Sequence, residues 1–139
     1  MVWTNRGFEN HVNIHAAEAE AAEQVERDAA HDAAMAAAQC LECISTVLKG
    51  ICERPELYKT LEPHLLPITK QILSKDGDFI EYLEYALDII TFLTYFPDDI
   101  SDELWEIFPM IYVAFDHYAF DYVMLMVPTL ENYIVNTAQ

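Results

Sequence analysis

Three cysteines stand close together in this chain, Cys40, Cys43 and Cys52, with His31 upstream. Cys40 and Cys43 are three apart, so in a helix they share a face, and thiolates with an imidazole can bind zinc. A structural zinc site, however, needs four ligands and usually takes its cysteine pairs from turns. The three read instead as small buried residues in a helix interface. Their odd number fits a reducing compartment better than a disulfide scaffold. No cysteine and histidine pair up as a nucleophile and its base, and three glycines supply no phosphate-cradling loop. Glu81, Glu84 and Asp88 lie along one helical face, but no apolar pocket accompanies them that would tune a general acid or base. The expectation is a chain without catalytic, metal or cofactor site.

The carboxylates have another use. Between Asp76 and Gln139 there are 13 Asp and Glu and no Lys or Arg. Asp76, Asp78, Glu81, Glu84 and Asp88 form one group. Asp98, Asp99, Asp102, Glu103 and Glu106 form a second, beside Trp105. Carboxylates around an aromatic ring can hold Lys and Arg through ion pairs and cation–π contact, the latter worth about 0.5–1 kcal/mol when exposed. The plain alternative is that these are the solvated loops and outer faces of the fold. Trp105 taken alone is more often a core residue than a contact.

The elements that position these residues are helices. The chain has 139 residues, just over half of them hydrophobic, and a formal charge of −17. That excludes disorder, and it disfavours nucleic acid and anionic membrane surfaces as partners while favouring basic proteins. No apolar stretch approaches the roughly 20 residues of a membrane span, and the amino terminus lacks the basic-then-apolar pattern of a signal peptide. Apolar residues recur at spacings of three and four, and strict alternation is absent.

Residues 1–29 read as an irregular or acidic Ala/Glu-rich lead-in, partly helical. Residues 30–139 read as helices over about 30–53, 56–75, 78–95, 101–116 and 119–135. Pro63 and Pro67 should bend or split the second helix, whose end Lys70 and Lys75 complement. Ser101 is the expected N-cap of the fourth.

The last four helices repeat. Leu65, Leu66 and Pro67 correspond to Ile107, Phe108 and Pro109 at an offset of 42. With one residue lost at the turn, Phe79, Leu83, Ala86, Ile89 and Leu93 would correspond to Phe120, Met124, Val127, Leu130 and Ile134 at 41. A period near 40 built from two helices describes a HEAT-type α-solenoid, here about two and a half repeats. Pro67 and Pro109 become equivalent kinks. Pro128 falls opposite Leu87 and has no partner.

Several pieces also resemble a known family. They are Ile100-Ser101, Leu104-Trp105, Phe108-Pro109, Asp121-Tyr122, Met126-Val127-Pro128 and Asn132-Tyr133-Ile134, preceded by CLECISTVLKGI. In order and spacing this run is similar to the importin-β superfamily, in its importin-seven and importin-eight branch with fungal-type relatives, over about residues 38–136. The Ala/Glu-rich stretch before it matches no family pattern.

The resemblance implies a fragment from the C-terminal half of a nuclear import receptor that shuttles between cytoplasm and nucleus. Such a receptor carries basic protein cargo, for example ribosomal proteins or histones, contacts nuclear pore proteins, and releases cargo to the Ran GTPase through regions outside this chain. The second reading is a HEAT scaffold or adaptor of another complex. Exposed solenoid ends would favour self-association.

Overall fold

The computed structural model describes residues 3–74 and 76–137, with side chains from residue 10 onward. Five α-helices follow in order: α1 (Trp3–Gly50), α2 (Glu56–Ile72), α3 (Leu83–Tyr95), α4 (Asp102–His117) and α5 (Val123–Thr137). Single 3-10 turns, Ile80–Tyr82 and Phe120–Tyr122, lead into α3 and α5. Among the described residues there is no strand, and no helix is long and apolar enough to cross a membrane. The fold is an all-α, HEAT-like solenoid segment.

The chain forms two compact units, residues 1–39 and 40–139. In the first, every described side chain except those of Ala34 and Ala38 is exposed. Its residues 3–29, read from sequence as an irregular or partly helical lead-in, are continuous helix. Alanine and glutamate favour helix strongly, and from Phe8 to Lys49 neither Gly nor Pro interrupts them. Local pairs reinforce it: Arg27 reaches Glu23 at 3.6 Å and Gln24 at 3.1 Å, and Gln24 donates to Asp28 at 2.8 Å.

The second unit holds the core. α2 packs on α3 and α4 on α5; between the pairs, α3 meets α5 and α2 meets α4. Leu83, Ile89, Ile90, Leu93, Leu104 and Ile107 are wholly buried, and Leu41 and Leu48 of α1 join the same cluster. Ser101 caps α4 as expected, its hydroxyl accepting from the Leu104 amide at 3.1 Å. Lys70 lies in the last turn of α2; Lys75 lies outside the described residues.

The repeat is real but its second helix is offset differently. In the first helices Leu65, Thr69 and Ile72 match Ile107, Ile111 and Ala114, all buried, at 42. In the second helices Ala86, Ile89 and Leu93 match Met126, Thr129 and Tyr133, all buried, at 40. The backbone agrees: Phe79 (φ −114°, ψ 27°) and Ala119 (φ −116°, ψ 27°) open equivalent turns. The offset of 41 would pair buried Leu83 with Met124, which is 75% exposed, and buried Leu93 with Ile134, 63% exposed. Two residues, not one, are lost at the turn. Pro128 therefore stands opposite Asp88, not Leu87.

The helices run through Pro63, Pro67, Pro109 and Pro128, each of which is exposed. Each removes one backbone donor, at about 3 kcal/mol in a regular helix, so packing must offset the loss. Pro67 and Pro109 occupy equivalent places, each two residues after a buried apolar side chain, Leu65 or Ile107.

Candidate interaction surface

The carboxylates fall into two groups on different elements. Asp76 and Asp78 lie in the turn after α2, Glu81 in the 3-10 turn, and Glu84 and Asp88 on α3; all five are exposed. Asp98 and Asp99 lie in the α3–α4 loop, and Asp102, Glu103 and Glu106 on α4, again all exposed. No ion pair or hydrogen bond joins the two groups among the described residues.

The lysines missing after residue 75 arrive from earlier helices. Lys59 of α2 binds Asp99 at 2.6 Å, and Lys70 binds Glu106 at 3.2 Å, so both pairs tie α2 to the α4 side. The hydrogen bond and charge of Asp99 push the Lys59 ammonium above its ordinary range. Such exposed pairs are worth about 0–1 kcal/mol each. Asp98, Asp102 and Glu103 make no ion pair among the described residues.

Sequence reading overlooked Glu62. It is half-buried on α2 and accepts from the Ser101 hydroxyl at 3.0 Å, so Ser101 donates to one helix while capping another. Burial pushes the Glu62 carboxyl above its ordinary range, the Ser101 hydrogen bond opposes this, and the nearby Glu103 and Asp99 charges raise it further. Asp88, although exposed, is raised by partial desolvation of its carboxyl and by Glu84, against the attraction of Lys49.

A carboxyl whose folded value is raised favours the fold most below the ordinary carboxylate range and loses that contribution as pH rises through the folded value. Glu62→Gln should therefore stabilise slightly at pH 7, within the roughly 0.5 kcal/mol usual for such sites. Urea midpoints at pH 7 and pH 4 check this: the gain should vanish at pH 4, where wild-type Glu62 carries a proton for much of the time.

Trp105 is half-buried on α4, with its ring 5.0 Å from Tyr133 of α5 and 6.1 Å from Phe108. The cysteines are corrected. Cys40, Cys43 and Cys52 are all exposed and free: Leu41, Ser45 and Leu48 form the buried stripe of α1, which Cys40 and Cys43 flank, and Cys52 lies in the turn after that helix. No group of three or more metal-ligating side chains converges among the described residues.

Also unforeseen is a polar seam between α3 and α5. Thr91 and Thr129 share a hydrogen bond of 2.7 Å, and Asn132 donates to the Thr91 carbonyl and the Thr94 hydroxyl at 3.1 Å each. These bonds fix the register of one repeat on the next. α4 and α5 also line an apolar groove. Phe108, Ile111, Tyr112, Phe115, Met126 and Leu130 border this open groove of about 300 Å³.

Known proteins resemble this chain along most of its length. An importin beta-like SAD2 homolog of Arabidopsis thaliana is 39% identical over 101 residues, 73% of this chain and 10% of the relative. A "Probable importin-7 homolog" of Dictyostelium discoideum is 35% identical over 109 residues, 78% of this chain and 10% of the relative. Importin-8 of Mus musculus is 32% identical over 94 residues, 68% of this chain and 9% of the relative. The chain thus spans about a tenth of the length of the curated relatives it matches. No family model matches it, and no solved structure does.

Proposed function

Since the chain belongs to the importin-β family, we propose that it works as a segment of a nuclear import receptor, from the C-terminal half, and offers basic protein cargo an acidic docking face. The observation that carries this reading is the set of exposed carboxylates Asp98, Asp102 and Glu103, which have no ion-pair partner among the described residues, with Glu103 near enough to Glu62 for its charge to act on that carboxyl. Segments rich in Lys and Arg, as in ribosomal proteins or histones, are the matching partners. Electrostatics would speed their encounter and screen them from nucleic acid. The parent receptor would shuttle between cytoplasm and nucleus, meet nuclear pore proteins, and yield its cargo to Ran through regions outside this chain. The segment itself acts by shape and charge, without catalysis.

Fluorescence anisotropy with a Lys/Arg-rich peptide over a salt series tests the proposal. Affinity should fall steeply with salt. The triple variant Asp98→Asn, Asp102→Asn, Glu103→Gln should bind about 5- to 30-fold more weakly at low salt, since three exposed contacts sum to about 1–2 kcal/mol. Absent or salt-insensitive binding would remove the electrostatic mechanism.

A further inference from the structure

The amino-terminal unit carries a feature that lies outside the proposed acidic docking face. His11 and His15 are four residues apart on α1, both exposed, with their Nε2 atoms 3.1 Å apart and their rings nearly perpendicular, at 84°. Two imidazoles at this spacing stand on one face, one turn apart. Glu18 lies one further turn along the same face, with a carboxylate oxygen 3.7 Å from His15 Nδ1.

We propose that His11 and His15 form a two-nitrogen chelate for a divalent transition ion of the zinc, nickel or copper class. The ring separation is the central argument. Two nitrogens bound at about 2.0–2.1 Å are about 3.0 Å apart at adjacent octahedral positions and about 3.4 Å apart in a tetrahedron. The observed 3.1 Å falls between these values. Both nitrogens already point at one another, so rotations of two exposed rings bring both lone pairs onto a single ion.

Imidazole suits these metals better than it suits magnesium or calcium, which seek oxygen ligands. Glu18 supplies the outer partner that ligating histidines commonly have. Once Nε2 is on the metal, Nδ1 carries the proton and can donate it to that carboxylate, which fixes the ring and raises its basicity. Two protein ligands leave the remaining positions to water, so the ion is held reversibly. Binding clamps one turn near the start of the helix, and metal affinity thereby becomes helix stability.

Nickel chloride titrated into the full chain, followed by calorimetry and by circular dichroism at 222 nm, tests the proposal. One ion should bind per chain through the histidines, with a rise in helicity. His11→Ala or His15→Ala should weaken this site at least tenfold and abolish the helicity rise. Glu18→Gln should weaken it about threefold, at the low end for an outer-shell partner, and His31→Ala should leave it unchanged.

Unaltered nickel affinity in both His11→Ala and His15→Ala would overturn the proposal, as would no nickel uptake by the wild-type chain. A site that survives those variants and disappears in Cys40→Ser/Cys43→Ser would assign the metal to the exposed thiols and overturn it equally.

Discussion

Tyr133→Ala is expected to destabilise the second unit by about 3–5 kcal/mol, the range for emptying a large aromatic site in a core. Tyr133 is 1% exposed, and its ring lies 5.0 Å from Trp105 and 5.2 Å from Phe108. Its hydroxyl donates to the Leu104 carbonyl of α4 at 2.6 Å. One side chain thus binds the last helix to the one before it by both packing and a hydrogen bond. Burial, with a smaller contribution from the Glu62 charge, holds the phenol well above its ordinary range.

Tyr133→Phe separates the two contributions. It keeps the rings together and removes only the donor, for about 1–1.5 kcal/mol. Urea unfolding followed by circular dichroism checks both variants. A Tyr133→Ala cost below about 1 kcal/mol would mean that α5 is not anchored where it is described. Losses of this size matter here because domain stabilities are only about 5–15 kcal/mol, and this one also bears strong self-repulsion.

Much of the fold could be read from sequence because helix period and repeat are carried by large apolar residues. Leu65 and Ile107, with the prolines that follow them, signal the same helix twice. What misled was a coincidence of side chains at the turn. Phe79 and Phe120 look equivalent, yet Phe79 is half-buried and Phe120 is 69% exposed. A turn shortened by two residues leaves the α5 stripe to Met126, Thr129 and Tyr133. Thr129 does not announce burial in a sequence, since its hydroxyl is satisfied by groups of the neighbouring repeat, the Thr91 hydroxyl and the Leu87 carbonyl.

The acidic face was legible in part for the same reason. Charge can be counted along a chain, but Lys59 and Lys70 neutralise Asp99 and Glu106 across 40 and 36 residues of sequence. Glu62 was missed because its neighbours in sequence give it an ordinary setting. Only folding brings Ser101, Glu103 and Asp99 to it. The cysteines were misplaced because a helix has a narrow buried stripe, and one step around it separates Leu41 from Cys40.

Gly77 offers the second large effect. It has φ +67°, the one positive value among the described residues, and sits in the turn between α2 and α3, where its amide donates to Ser74 and its carbonyl accepts from Ile80. A Cβ there would also lie 2.9 Å from Cγ and 3.0 Å from Cδ2 of Tyr118. Gly77→Ala therefore meets two separate penalties: about 1–2 kcal/mol for the left-handed backbone and about 1–3 kcal/mol for overpacking against the ring.

The expected total is about 2–5 kcal/mol, and a double-mutant cycle divides it. In a Tyr118→Ala background the ring is gone, so Gly77→Ala should cost only the backbone share. Gly77→Asn should recover part of that share in either background, because asparagine tolerates this conformation while still carrying the Cβ. Tyr118→Phe keeps the ring and removes a buried hydroxyl that has no partner among the described residues, so it should preserve the coupling without loss of stability. Equal costs for Gly77→Ala with and without the ring would show that only backbone conformation demands glycine. A large coupling would show that the turn of one repeat is shaped by an aromatic ring from the turn of the next. The shortened second turn then acquires a reason, since it sets where Tyr118 leaves α4 and brings its ring over Gly77.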